Sequence, residues 1–178
     1  QCIFRGVEKL PAGSYAVWRN GRMTITPYWD ITQPTDSQRG PVDLDHLQEL
    51  LENSIRERLI SDVPLGVFLS GGIDSSLITA LAARVSSDPV KTFTISFEGS
   101  YLDEAPYARM VSEQYGTVHT EERLGPGTLT PDLVNRIVGH LDEPFADASV
   151  IPTFLLSEMT RKHVTVALAG DGGDELFA

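Results

Sequence analysis

Apolar residues recur at two different periods along this chain, and the change of period outlines its organisation. Leu44, Leu47, Leu51, Ile55 and Leu59 fall at three- and four-residue steps, which places them on one stripe of a helix. Asp43, just before them, is a natural N-cap. From Val63 onward, short apolar stretches at 66–69, 92–97, 118–122 and 164–169 read as strands. Between them, 74–85, 104–115, 131–141 and 150–163 read as helices. Strands separated by helices predict an α/β fold with a parallel sheet flanked by helices on both faces and right-handed crossovers. Ligands of such sheets sit at the carboxyl ends of the strands. Before this region the pattern is different. Residues 15–18 and 23–26 alternate around Asn20-Gly21, the signal of a β-hairpin. A two-stranded ribbon is marginal in water, so it calls for a sheet partner. Pro34, Gly40 and Pro41, among small polar residues, mark a linker. The expected organisation is therefore 1–30, a β-ribbon; 31–42, a linker; and 43–178, an α/β domain.

Composition narrows the function classes. The chain has 178 residues, 41% of them hydrophobic, which suffices for a packed core. Its net charge of −11 argues against a nucleic-acid partner, since neutralising phosphates needs clustered Lys and Arg. No apolar run approaches the roughly 18–20 residues of a membrane span. The single cysteine, Cys2, excludes an internal disulfide and a cysteine zinc site, and a reducing cytoplasmic setting is expected. Cys2 reads as an ordinary thiol, and His119 and His140 as core or surface residues.

Two glycine-rich loops carry the candidate chemistry. The apolar strand Val67-Phe68-Leu69 runs into Ser70-Gly71-Gly72 and then directly into a helix beginning Ile73-Asp74-Ser75-Ser76. Adjacent glycines allow a tight turn and close backbone approach to a ligand. The helix start presents unpaired amides and the positive end of its dipole. Strand, glycine loop and helix start thus form an anion cradle. It lacks the Gly-Lys-Ser/Thr of a Walker loop and the Gly-x-Gly-x-x-Gly of a dinucleotide fingerprint. Asp74 would repel a polyphosphate unless a divalent cation lay between them, and Mg²⁺ suits carboxylate and phosphate oxygens. The alternative is a plain βα turn with Asp74 at a helix start. The second loop, Ala169-Gly170-Asp171-Gly172-Gly173-Asp174-Glu175, places three glycines and three carboxylates in six consecutive positions after another apolar strand. It should lie near the first loop and hold a hard cation. The alternative is a calcium-binding or simple acidic turn, although the spacing does not fit the Asp-x-Asp-x-Asp-Gly loop.

Ser70-Gly71-Gly72-Ile73-Asp74-Ser75-Ser76 resembles the pyrophosphate loop of the ATP pyrophosphatases, the PP-loop superfamily. The wider stretch 61–76 is similar to the synthetase domain of glutamine-hydrolysing asparagine synthetases. So are Leu102-Asp103-Glu104, Leu141-Asp142-Glu143-Pro144 and the segment 169–177. Residues 4–13 and Tyr28-Trp29-Asp30 resemble the end of that family's glutaminase domain.

The resemblance implies an adenine nucleotide alpha hydrolase-like fold and ATP and Mg²⁺ as cofactors. It implies that Leu69 and Ile95 contact the adenine end through their backbones. Ser70, Gly72, Ser75 and Ser76, with Gly71 in the same loop, would hold pyrophosphate. Ala169 and Gly170 would contact the nucleotide. Asp74 and Asp174 would bind Mg²⁺. Asp171 stands where asparagine synthetases often carry a glutamate that assists ammonia attack, and is one methylene shorter. It is the candidate catalytic residue. Asp142, Glu143, Phe145 and Asp147 would lie near the acceptor or form an acidic cap on the following helix.

The implied reaction adenylates the side-chain carboxylate of aspartate, releases pyrophosphate, and lets glutamine-derived ammonia displace AMP. Partners are these small molecules and the glutaminase domain of the same parent chain. In the family further helices follow, so the chain reads as an internal fragment in which glutamine hydrolysis is absent. Other readings stay open. One is a ligase acting on another carboxylate, in the manner of β-lactam synthetase or of peptide or sugar-acid amidation. Another is an ATP-binding fragment without turnover. The last is an interaction fragment.

Overall fold

The computed structural model describes residues 2–30, 41, 43–99 and 103–177. Most of the expected linker and Leu102 of the Leu-Asp-Glu motif lie outside the described residues. The chain divides into two compact units, Gln1–Val42 and Asp43–Ala178.

In the first unit, β1 (Ser14–Arg19) pairs antiparallel with β2 (Arg22–Pro27), Arg19 opposite Arg22. Asn20 and Gly21 both take positive φ, 52° and 76°, the geometry that an Asn-Gly two-residue turn requires. The Gly13 carbonyl accepts from the amides of Tyr28 and Trp29 and closes the open end of the ribbon. Trp18, Tyr28 and Trp29 are exposed.

The second unit holds α1 (Leu44–Leu59), β3 (Leu65–Phe68), α2 (Ile73–Val85), β4 (Lys91–Phe97), α3 (Ala105–Tyr115), β5 (Val118–Leu124), α4 (Pro131–Val138), α5 (Val150–Thr160), β6 (Val166–Leu168) and α6 (Gly173–Phe177). The four strands form one sheet in the order β5-β4-β3-β6, with every neighbouring pair parallel. The α/β sheet expected from the alternating pattern is therefore present.

Packing explains the layers. Val67 of β3 packs with Leu81 and Ala82 of α2 and Ile55 of α1. Phe68 and Phe93, pointing to the other face, pack with Leu156 and Met159 of α5. Helices thus cover both faces, as the buried strands require. Asp43 caps α1, its side chain accepting from the His46 amide at 3.0 Å. The α1 stripe is buried only from its middle onward, because Leu44 remains 71% exposed.

Most boundaries shift by a residue from the expectation, β5 runs two residues further, to Leu124, and three elements are clearly shorter. The α4 helix stops at Val138, before Gly139, whose low helix propensity favours termination. The α5 helix stops at Thr160, and Val164 is then buried against Phe93 before the chain reaches β6. β6 is only three residues, paired with Leu65–Val67 of β3, and just before it the Thr165 amide donates to the Pro64 carbonyl. The short α6 lies where the sequence suggested a loop throughout.

On the α3 face, Thr92 of β4 is fully buried. Its hydroxyl lies 2.8 Å from Thr117 Oγ1 and 2.9 Å from Nδ1 of His119. Thr117 in turn donates to Ser112 of α3. Nε2 of His119 is buried and has no partner. Burial holds this imidazole below its ordinary value of 6.5, with Glu121 opposing the shift and Arg109 adding to it. The folded chain therefore binds fewer protons at His119 than the unfolded chain. That contribution is fully present above about pH 6.5 and is lost as the pH falls toward the depressed folded value. The thermal midpoint should drop between pH 7.5 and 5.5, and drop less in His119→Gln. Equal slopes in the two proteins would remove His119 from this balance.

Candidate nucleotide site

In sequence order the strands of the sheet run 3, 4, 5, 6, yet in space β6 lies on the far side of β3 from β4. The order reverses between β3 and β6, and this is the place where open α/β sheets bind ligands. The two glycine loops leave the carboxyl ends of these two strands.

The first loop is held from within. Ser75 is buried, with its Oγ 2.9 Å from Ser70 Oγ, 3.3 Å from the Ser70 amide and 3.2 Å from the Gly72 carbonyl. Ser70 Oγ also accepts from the Gly72 amide at 3.2 Å. Gly71 has φ +94°, a conformation that side chains disfavour. A Cβ there would lie 2.7 Å from the Ala108 amide nitrogen and 2.9 Å from the Glu104 carbonyl oxygen, so α3 packs directly on the loop. At the start of α2, the amides of Ile73, Asp74 and Ser75 occupy the helix positions that have no intrahelical acceptor.

The second loop packs on that helix start. A Cβ at Gly170 would lie 2.9 Å from the Ser75 amide nitrogen. A Cβ at Gly173 would lie 2.5 Å from the Asp74 carboxyl carbon. Only glycine lets the Asp74 carboxylate rest against the start of α6, one residue from Asp174. Gly173→Ala should therefore displace this carboxylate and weaken Mg-nucleotide binding about tenfold. It should leave the thermal midpoint unchanged or raised, since alanine favours a helix over glycine by roughly 0.8–1 kcal/mol. An unchanged affinity would show that the Asp74 contact has no binding role.

A cavity of about 660 Å³ opens between the loops, within the range of small-molecule sites. The structure brings Leu69, Ser70, Gly72, Asp74, Ser75, Ile95, Ala169, Gly170, Asp171 and Asp174 to its wall. Gly71 and Ser76 are not on that wall. Gly71 faces α3, and the Ser76 amide is spent on the Gly72 carbonyl at 3.0 Å. Ser75 reaches the wall, but its hydroxyl is engaged inside the loop, which makes it a brace as much as a ligand.

Asp142, Glu143, Phe145 and Asp147 do not line the cavity. Asp147 Oδ1 accepts from the Ser149 amide at 2.8 Å, and this bond holds its carboxyl below the usual carboxylate range. It lies two residues before Ser149, the N-cap of α5, which makes no side-chain cap bond of its own. From this end of the chain, the cavity wall takes Ser149, the N-cap of α5, and Pro152, Thr153 and Leu156 of the helix itself, with Ser149 and Thr153 as the polar residues. Sequence reasoning missed them, together with Thr94 and the position of Glu104 on the same wall. The one-turn spacing of Ser149 and Thr153 at the head of an apolar helix was the available signal.

Among the described residues the wall carries Asp74, Glu104, Asp171, Asp174 and Glu175 and no Lys or Arg. Among the described residues no group of three or more His, Cys, Asp and Glu side chains is arranged to hold a metal ion by itself. A pair of carboxylates beside a glycine cradle suits Mg²⁺, which binds through one or two carboxylates together with substrate phosphates. The arrangement can hold a polyphosphate with its charge balanced by that ion, with Asp74 and Asp174 as the protein ligands.

The asparagine synthase family profile matches residues 46–178. A putative glutamine-hydrolysing asparagine synthetase of Methanocaldococcus jannaschii is 35% identical over 98% of this chain and 34% of its own length. One from Mycobacterium bovis is 36% identical over 99% of this chain and 28% of its own. The chain thus spans about a third of the length of these relatives. Among solved structures, an NH3-dependent NAD synthetase from Campylobacter jejuni aligns with a TM-score of 0.53 and 17% identity. The alignment covers 76% of this chain and 59% of that one, and shows a shared fold.

Proposed function

The chain belongs to the asparagine synthase family, and from that premise we propose that it is the nucleotide-binding part of an ATP-dependent amide-forming ligase. Its substrate carboxylate is the side chain of aspartate, and its nitrogen source is ammonia derived from glutamine. The observation that carries this reading is the seating of the Asp74 carboxylate against Gly173, beside Asp174, on the wall shared with Ser70 and Gly72.

The residues divide the work. Ser70 and the helix-start amides receive the β- and γ-phosphates, offsetting the charge that grows as pyrophosphate leaves. These donors are fixed before the reaction by the Ser70–Ser75–Gly72 bonds, so little reorganisation is needed. Mg²⁺, when bound, supplies Lewis-acid stabilisation of the same phosphates. Leu69 and Ile95 border the adenine end. An acceptor carboxylate oxygen attacks the α-phosphorus, and the bond to the bridging oxygen of pyrophosphate breaks. Ammonia then attacks the acyl carbon, AMP leaves with the bonding pair, and Asp171 takes the proton lost by the nitrogen. Asp171 is exposed on the cavity wall, where it is free to do this.

The shorter Asp171 favours testing a second reading in which another carboxylate replaces aspartate. On the same premise, residues 1–30 are the end of a glutaminase domain in the parent protein, and the setting is cytoplasmic. Among the described residues no helix is long and apolar enough to cross a membrane.

The test is release of AMP and pyrophosphate from labelled ATP with Mg²⁺, comparing aspartate with other carboxylates. Release that depends on aspartate supports the proposal, and release that depends on a different carboxylate moves the acceptor. Saturable ATP binding with no release under any acceptor would overturn turnover by this chain.

A further inference from the structure

The β3–β4 ladder ends at Phe68 opposite Phe93, and beyond it the chain leaves the sheet for the glycine loop. The first residue past the ladder, Leu69, donates its amide to the Phe93 carbonyl at 2.9 Å. Its own carbonyl accepts from the hydroxyl of Thr94. That carbonyl belongs to the same peptide group as the Ser70 amide, which donates to Ser75 Oγ. A peptide group is a rigid plane. The plane joining Leu69 to Ser70 is therefore held at both ends, by Thr94 on one side and Ser75 on the other.

Thr94 is only 3% exposed and borders the cavity. A buried central strand ordinarily carries valine or isoleucine at such a position, and a hydroxyl is tolerated there only when it is bonded. On the same face of β4, Thr92 spends its hydroxyl on Thr117 and His119, away from the loop. Thr94 alone of these two grips the loop.

We propose that Thr94 is a positioning residue for nucleotide binding. It locks the Leu69–Ser70 peptide so that Ser70 Oγ and the amides that follow face the cavity. Without it the plane can turn about its flanking bonds, which breaks the Ser70–Ser75 contact and scatters the phosphate donors. The proposal rests on the nucleotide reading above.

The test is titration of the chain with Mg-ATP in four proteins: wild type, Thr94→Val, Thr94→Ser and Thr92→Val, with thermal unfolding of each. Thr94→Val should weaken binding about tenfold, the loss expected when one buried hydrogen bond is removed. Thr94→Ser restores the hydroxyl and should bind within about twofold of wild type. Thr92→Val removes a neighbouring buried hydroxyl, and should lower the thermal midpoint without weakening binding. If Thr94→Val does not fold, Thr94→Ala takes its place with the same expectation. Unchanged affinity in the Thr94 variant, or an equal loss in Thr92→Val, overturns the role of Thr94 while leaving the nucleotide site standing. No binding by the wild-type chain overturns both.

Discussion

Asp74→Asn is expected to weaken Mg-ATP binding by about 10- to 100-fold, the equivalent of one charged contact worth roughly 1.5–3 kcal/mol. The replacement keeps the size and shape of the side chain, so its place against Gly173 survives. What it removes is the negative charge that an Mg²⁺ ligand needs. Asp74 also lies in the first turn of α2, where a carboxylate stabilises the helix by about 0.3–1 kcal/mol. The thermal midpoint should therefore fall by only a few degrees, roughly 2–4 °C per kcal/mol in a domain of this size. A calorimetric titration beside a melting curve separates the two effects. A lower midpoint with unchanged affinity would leave Asp74 as a helix-start residue and nothing more.

Gly71→Ala should do more damage and of another kind. At φ +94° a side chain is strained wherever it points, and the left-handed region costs roughly 1–2 kcal/mol per residue. Here the new methyl would also meet backbone atoms of α3 at 2.7 and 2.9 Å, and neither can swing aside. We expect a loss of about 3–5 kcal/mol in all, near the upper end of single substitutions. That amounts to a fall in midpoint of roughly 6–20 °C. Nucleotide affinity should fall with it, since α3 and the loop must separate. Gly172→Ala provides the comparison. Its φ is similar, +90°, but nothing lies within 4 Å of the added methyl. It should show the conformational cost alone, and equal midpoints for the two variants would contradict the α3 contact.

The parts of this molecule that could be read from sequence are those fixed by neighbours in the chain. Asn20-Gly21 states its turn outright, because both residues tolerate positive φ. Strand, glycine pair and helix after Val67 are consecutive, so the cradle could be placed on a strand end before its geometry was known. The burial of the α1 stripe was half legible: the period gives the face, but only packing against α2 decides that Ile55 is buried and Leu44 is not. What long-range packing decides was out of reach. Sequence cannot tell that the Ser75 hydroxyl turns into the loop while Ser70 borders the cavity. It cannot tell that Gly71 is required by the distant α3, through Glu104 and Ala108. Thr94 was hidden by the strand pattern around it, and Ser149 by its distance from both loops. The α6 helix was masked by Gly172-Gly173, which read as loop, although Asp174-Glu175 at its start suit a helix N-terminus.

The central claim is that the loops after β3 and β6 enclose one metal-nucleotide site. Paramagnetic broadening tests it most directly, with Mn²⁺ in place of Mg²⁺ and backbone amide signals recorded with and without ATP. A shared site predicts ATP-dependent broadening of both Asp74–Ser76 and Asp171–Glu175, at the same metal concentration, with the amides of β5, two strands from β3, broadened less. Broadening confined to one loop, or independent of ATP, would contradict it.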